Sequence, residues 1–191
     1  MQALLISAGL VAVAEIGDKT QLLAILLAAR FRKPWPIVAG ILAATLANHG
    51  LAATAGALAG QLLQGPWMRW ALGLAFLGFA GWALIPDRFE DEPEARPAPG
   101  GALAVFWATA VAFFLVEMGD KTQVATVALA ARFHDIAVVA AGTTLGMMIA
   151  NVPAVLIGEA AAAKLPLKYI RWAAAASFAV IGVWILIAGP G

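Results

Sequence analysis

The sequence predicts an all-α integral membrane protein whose six transmembrane helices form a 3+3 inverted repeat. Three observations carry that prediction. Of 191 residues, 63% are hydrophobic and only 12% charged, and the mean hydropathy of +0.90 lies well beyond soluble globular domains. Apolar stretches near the roughly 20 residues that cross a bilayer recur six times between turns marked by Pro, Gly and charge. The second half also repeats the first at a constant offset that carries "EIGDKTQ" (15–21) onto "EMGDKTQ" (117–123).

The predicted helices run near 3–29, 35–60, 67–86, 102–131, 136–160 and 168–188. The first has no basic residue before it and no small-residue cleavage site, so it reads as a retained span rather than a signal peptide. "ARFRKPWP" (29–36), "GPW" (65–67), "RFHD" (132–135) and "KLPLK" (164–168) supply the short turns, with Pro and Gly where helices stop. Residues 1–86 form the first three-helix repeat and 102–191 the second. Between them "DRFEDEPEARPAPGG" (87–101), rich in charge and Pro, reads as a polar cytoplasmic linker.

The same offset superposes Asp18 on Asp120, Lys19 on Lys121, "AARF" (28–31) on "AARF" (130–133), Gly40 on Gly142, Gly56 on Gly158, Arg69 on Arg171, Trp70 on Trp172, Phe76 on Phe178 and Trp82 on Trp184. Asn48 matches Asn151 after a one-residue slip. This is a duplication. Three crossings per copy is an odd number, so the second copy enters the membrane from the opposite side, a common transporter architecture. Arg30, Arg32, Lys33, Arg88, Arg96, Lys164, Lys168 and Arg171 fall on one side, against Arg69 and Arg132 on the other. The positive-inside rule then puts both termini outside. Trp35, Trp67, Trp70, Trp107 and Trp172 lie near predicted helix ends, where indoles settle at headgroup level.

Composition narrows the chemistry. A net charge of +1, with basic residues spread between apolar segments, gives no reason to expect a nucleic-acid partner. Without Cys there are no disulfides, thiolate metal sites or Cys nucleophiles.

Both motifs sit near the midpoints of their predicted helices, at the depth where charge is most expensive. At about 2.5–3.5 kcal/mol per central charge, six unpaired, lipid-facing charges would cost roughly 15–21 kcal/mol. They must therefore face inward and meet partners. On a continuous helix Glu15, Asp18 and Lys19 share one face, Gln21 extends it, and Thr20 points elsewhere. Gly17 and Gly119 permit either close helix packing or local unwinding that presents backbone carbonyls.

Brought face to face, Glu15, Asp18, Glu117 and Asp120 with Lys19 and Lys121 leave a formal charge of −2, ringed by Thr20, Thr122, Gln21 and Gln123. Asn48 and Asn151 read equally as further ligands or as interhelical hydrogen-bond glue. A divalent cation balances that charge, and hard oxygen donors favour Ca²⁺, Mn²⁺ or Mg²⁺ over Zn²⁺, Cu or Ni. This ion is cargo, and no cofactor is expected. Carboxylates withdrawn from water beside like charges take up protons readily, so metal and proton would compete for one site. Lys19 and Lys121 would balance charge or gate the site by pairing with Glu15 and Glu117 when the ion leaves. His49 has no counterpart in the second half, where position 152 is Val, and reads as a packing or proton-relay residue ahead of a ligand. Glu159 reads as interfacial, and Arg30 and Arg132 as topology and headgroup contacts.

In these motifs the chain resembles the Ca²⁺/Mn²⁺:cation antiporter family with paired E-x-G-D-[KR]-[TS] motifs, which includes Golgi calcium and manganese transporters and bacterial manganese exporters. "EIGDKT" and "EMGDKT" meet the pattern at every defined position. The resemblance implies six helices with the motifs in the first and fourth, Glu15, Asp18, Glu117 and Asp120 as ligands joined by Thr20 and Thr122, and exchange of Mn²⁺ or Ca²⁺ for protons. It further implies manganese export across a bacterial cytoplasmic (inner) membrane, a transporter and not an enzyme. Two other classes compete: an amino-acid or organic-solute exporter, which would want a larger and less acidic cavity, and an intramembrane aspartyl protease, whose dyad would leave the Glu and Lys residues unexplained.

Overall fold

A computed structural model describes residues 1–62, 67–85, 101–157 and 167–188. They form α1 (Gln2–Glu15), α2 (Lys19–Phe31), α3 (Pro34–Leu62), α4 (Met68–Ala83), α5 (Ala102–Glu117), α6 (Lys121–Phe133), α7 (Ile136–Ile157) and α8 (Leu167–Ala188). No strand occurs among these residues. Most of the expected linker, Gly158, Glu159, Lys164 and the side chains of Lys168 and Arg171 lie outside the described residues.

The protein is an all-helical membrane protein, as composition predicts. By length and apolarity, α3 over Pro34–Gln61 and α7 over Ile136–Ile157 can each cross a membrane, and α5 with α6 can do so as one span bent by 72°. The prediction of continuous helices over 3–29 and 102–131 is corrected here. Each is broken at its acidic motif.

The break has one geometry in both halves. Ile16 (φ −65°, ψ 116°) and Gly17 (φ 83°) form the centre of a type II turn, closed by Asp18 N–H donating to Glu15 C=O at 3.1 Å. Met118 (φ −63°, ψ 121°), Gly119 (φ 78°) and the 3.1 Å bond from Asp120 N–H to Glu117 C=O repeat it. A type II turn needs positive φ at its third residue, which only Gly adopts without strain. Of the two options open for these glycines, local unwinding is the one realised.

Asp18 and Asp120 then stand at the N-cap positions of α2 and α6. The Oε1 atoms of Gln21 and Gln123 accept the N–H groups of Gly17 (2.7 Å) and Gly119 (2.6 Å). That is a capping-box variant. At the far ends Arg32 (φ 50°) and His134 (φ 53°) close α2 and α6 as left-handed caps, donating to Ala28 C=O and Ala130 C=O.

Packing between the halves is reciprocal. A Cβ at Gly40 of α3 would lie 2.7 Å from Phe106 C=O and 2.8 Å from Thr109 of α5, and one at Gly142 of α7 would lie 2.8 Å from Leu4 C=O and Ser7 of α1. These are equivalent residues under the sequence repeat, exchanged between copies. Small residues let the backbones meet this closely. Further along, Gly56 and Gly60 of α3 seat against α6 at Val127 and Ala131, so α3 runs past both arms of the second break. Phe76 and Phe178, another equivalent pair, meet with ring centroids 6.3 Å apart in a core with Leu10, Leu72, Leu129 and Val139. A second core gathers Leu23, Ile37, Ile41, Val105 and Phe113. The five Trp residues expected at helix ends are all exposed.

Candidate functional site

The two breaks meet inside the molecule. Glu15, Asp18 and Asp120, all buried, each bring one carboxylate oxygen within 4.8 Å of the other two. Glu117, also buried, stands outside that set. Its Oε1 accepts the Thr122 hydroxyl at 2.9 Å, and the same hydroxyl lies 3.3 Å from Asp120 Oδ2. Thr122 therefore links the fourth carboxylate to the trio.

Why the side chains point here follows from the turns. Each Glu is the last residue of its first helix and each Asp the N-cap of the next, so the turn between them folds both carboxylates toward one centre. Thr20 is buried and donates to Glu15 Oε2 at 2.5 Å, the counterpart of the bond from Thr122 to Glu117. The helical-wheel expectation that Thr20 points away is corrected, because the wheel assumes a continuous helix where the chain turns. At the start of α6 the Thr122 N–H lies 3.5 Å from Asp120 Oδ2, a favourable arrangement for negative charge at a helix N-terminus.

Lys19 is placed differently from the sequence reading. Lys19 Nζ lies 2.8 Å from Asp120 Oδ1, a bridge across the two halves, and not on Glu15 in its own. Lys121 Nζ donates to Ile85 C=O at 3.2 Å and sits 5.9 Å from the Trp82 ring centroid. The glutamines, expected among the ligands, have their oxygens taken by the turn glycines. Gln21 Nε2 further donates to Ala150 C=O of α7 at 3.1 Å.

Asn48 and Asn151 are both buried, each next in sequence to a residue that reaches the motifs, His49 and Ala150. Asn48 Nδ2 donates to Phe114 C=O at 3.0 Å, tying α3 to α5 one turn before Glu117. Asn151 Nδ2 stays within α7, donating to Met147 C=O at 3.1 Å. The Oδ1 atoms of both are buried without a hydrogen-bond partner among the described residues. Next to Asn48, His49 is buried with its Nε2 4.0 Å from Glu117 Oε1. Arg132, read from the sequence as a headgroup contact, is buried with its guanidinium over Trp184 at 5.3 Å.

A buried nest of carboxylates, built from two copies of one turn, is suited to holding a cation. Comparison with known proteins agrees: the family profile "Divalent cation/proton antiporter GDT1" matches residues 3–91 and 105–191. The chain belongs to the GDT1 family. It is therefore a secondary transporter of divalent cations and not an enzyme, which sets aside the protease and organic-solute readings. Among its GDT1 relatives is a "Putative manganese exporter" of Vibrio cholerae, 50% identical over 184 residues, covering 96% of this chain and 90% of that protein. GDT1-like protein sll0615 of Synechocystis is 31% identical, covering 94% and 95%. GDT1-like protein 5 of Arabidopsis thaliana is 27% identical, covering 91% and 90%. No solved structure matches this chain.

Two features of the site were readable and missed. "D-K-T-Q" is an N-cap residue followed three positions later by Gln ahead of an apolar run, the sequence mark of a helix start. A helix beginning at Asp18 would have put Thr20 beside Glu15. The Lys19 to Asp120 bridge has no such mark, since it depends on how the halves dock.

Proposed function

We propose that this protein exports Mn²⁺ from the cytoplasm in exchange for protons, holding the ion between Glu15, Asp18 and Asp120 with Glu117 attached through Thr122. The observation that carries the reading is the convergence of three buried carboxylate oxygens from two halves of the chain within 4.8 Å. Oxygen donors in that number suit a hard or borderline divalent ion. The Vibrio cholerae relative named for manganese export favours Mn²⁺. Ca²⁺ is the second reading, because an all-oxygen trio fits it equally.

In the arrangement described, the Lys19 ammonium holds one member of the trio. An entering cation competes with it for Asp120, and its departure lets Lys19 return, so the empty site does not retain like charges unbalanced. Protons serve the same end from the other side of the cycle, since buried carboxylates deprived of the metal accept them. The exchange of metal for protons is then competition for one set of oxygens.

The architecture that goes with this reading is a six-span 3+3 inverted repeat in a bacterial inner membrane, with α1 and α2 as one broken span, α5 and α6 as another, the 87–101 linker in the cytoplasm and both termini outside. Its support is the reciprocal crossing of Gly40 on α5 and Gly142 on α1, together with the charge bias of the loops. Broken helices meeting at mid-depth are how inverted-repeat transporters present backbone and side-chain oxygens to ions.

The test is Mn²⁺ and Ca²⁺ flux in proteoliposomes under an imposed pH gradient. Gradient-driven flux that disappears in Asp18→Asn and in Asp120→Asn is the expected result. Flux that is indifferent to both substitutions would remove the carboxylate site from the mechanism.

A further inference from the structure

Oxygen donors alone leave Mn²⁺ and Ca²⁺ poorly separated, yet a nitrogen donor stands beside the carboxylates. His49 lies in the middle of α3 and is 0% exposed, and neither ring nitrogen has a hydrogen-bond partner among the described residues. A buried imidazole left unsatisfied is costly and calls for a partner. Its Nε2 is 4.0 Å from Glu117 Oε1, too far for a hydrogen bond. Metal–ligand bonds of about 2.0–2.3 Å, by contrast, let two donor atoms of one ion stand about 3–4.5 Å apart.

Two more oxygen donors belong to the same residue neighbourhood. Glu117 Oε2 and Asn48 Oδ1 are both buried without hydrogen-bond partners, and the bond from Asn48 Nδ2 to Phe114 C=O anchors that amide one turn from Glu117. The Thr122 hydroxyl touches Glu117 at 2.9 Å and Asp120 at 3.3 Å, so the gap adjoins the three-carboxylate cluster. The second half has Val152 where the first has His49, and the feature is not duplicated.

We infer that His49 and Glu117 form a second coordination station on the ion's path, next to the Glu15, Asp18 and Asp120 cluster, and that its imidazole selects a transition-metal ion such as Mn²⁺ over Ca²⁺. The inference rests on the transport reading above. The lone pair of a neutral imidazole is a good donor to first-row transition metals and a poor one to Ca²⁺, which takes oxygens. An ion passing from three carboxylates to a carboxylate and an imidazole is thus checked for the ability to bind nitrogen.

Pulsed electron paramagnetic resonance of Mn²⁺ bound to the full-length protein in nanodiscs tests it. The chain has two His residues, and His134, the left-handed cap of α6, tolerates Asn. Expected is ¹⁴N modulation from a coordinated imidazole in the wild type and in His134→Asn, absent in His49→Gln. In flux assays the preference of His49→Gln for Mn²⁺ over Ca²⁺ should fall by about tenfold or more, the scale on which metal sites respond to a lost partner. Bound Mn²⁺ without nitrogen modulation in the wild type, or modulation that survives His49→Gln, overturns the inference while leaving the carboxylate site intact. Should His49→Gln fail to fold, the wild type and His134→Asn decide it between them. Mn²⁺ that does not bind at all, or binds Asp18→Asn and Asp120→Asn as well as the wild type, overturns the transport reading and this inference with it.

Discussion

The break after Glu15 and the break after Glu117 share a backbone and differ in their surroundings. Both are type II turns with Gly at positive φ, both have a Gln oxygen on the Gly N–H, and both have a Thr hydroxyl on the Glu. Yet Glu15 belongs to the three-carboxylate cluster, while Glu117 stands outside it. Gln21 is buried and tied to Ala150 of α7, whereas Gln123 is only partly buried. His49 faces Glu117, and the first break has no imidazole beside it. Local sequence therefore repeats the device, and docking makes the two copies unlike.

Substitution at the carboxylates is the largest test of that comparison. If the trio binds the ion, Asp120→Asn and Asp18→Asn each lower gradient-driven Mn²⁺ flux on the order of a hundredfold or more. Asp120→Asn already removes the Lys19 bridge, so a further Lys19→Gln change should alter its residual flux less than that of Asp18→Asn. Equal responses in the double variants would mean the Lys19 bridge has no part in the cycle.

Next come the crossings. Gly40→Val and Gly142→Val each force a side chain into backbone at 2.7–2.8 Å, and each should cost about 1–3 kcal/mol or more in denaturation of the purified protein. Matching losses support two equivalent crossings. A large loss at one and none at the other breaks the equivalence.

The turn glycines follow. A Cβ at Gly119 meets nothing within 4 Å, so Gly119→Ala should cost only the left-handed strain, about 1–2 kcal/mol. Gly119→Asn, better tolerated at positive φ, should recover part of it. The smallest effect separates the glutamines: with a typical hydrogen bond worth about 0.5–1.5 kcal/mol, Gln21→Ala, which loses two, should destabilise more than Gln123→Ala, which loses the one to Gly119. Thermal melts of the pair read this directly, and equal losses would show that the contact with Ala150 contributes nothing.

How much of this was legible depends on the range of the interaction. Helix positions, the duplication and the charged motifs within apolar stretches are written in hydropathy and spacing, and the predicted bounds 35–60 and 136–160 differ from α3 and α7 by a few residues at most. The broken spans were written there too, in the Gly that a type II turn demands and in the D-x-x-Q helix start. A 20-residue hydropathy window reads straight through both, because the motif is shorter than the window. Thr20 was misplaced for that reason alone.

By itself, then, the sequence determined an all-helical membrane chain, two copies of one acidic turn, and a set of oxygen donors suited to a divalent cation. Those follow from solvent preference and local backbone geometry, which need no distant residue. Only the tertiary structure decided that Glu15, Asp18 and Asp120 share a centre while Glu117 turns to His49, and that Lys19 bridges to Asp120. These contacts join residues far apart in the chain, and which of two near-identical motifs receives the imidazole depends on how helices dock. Two copies of one local signal cannot specify that difference.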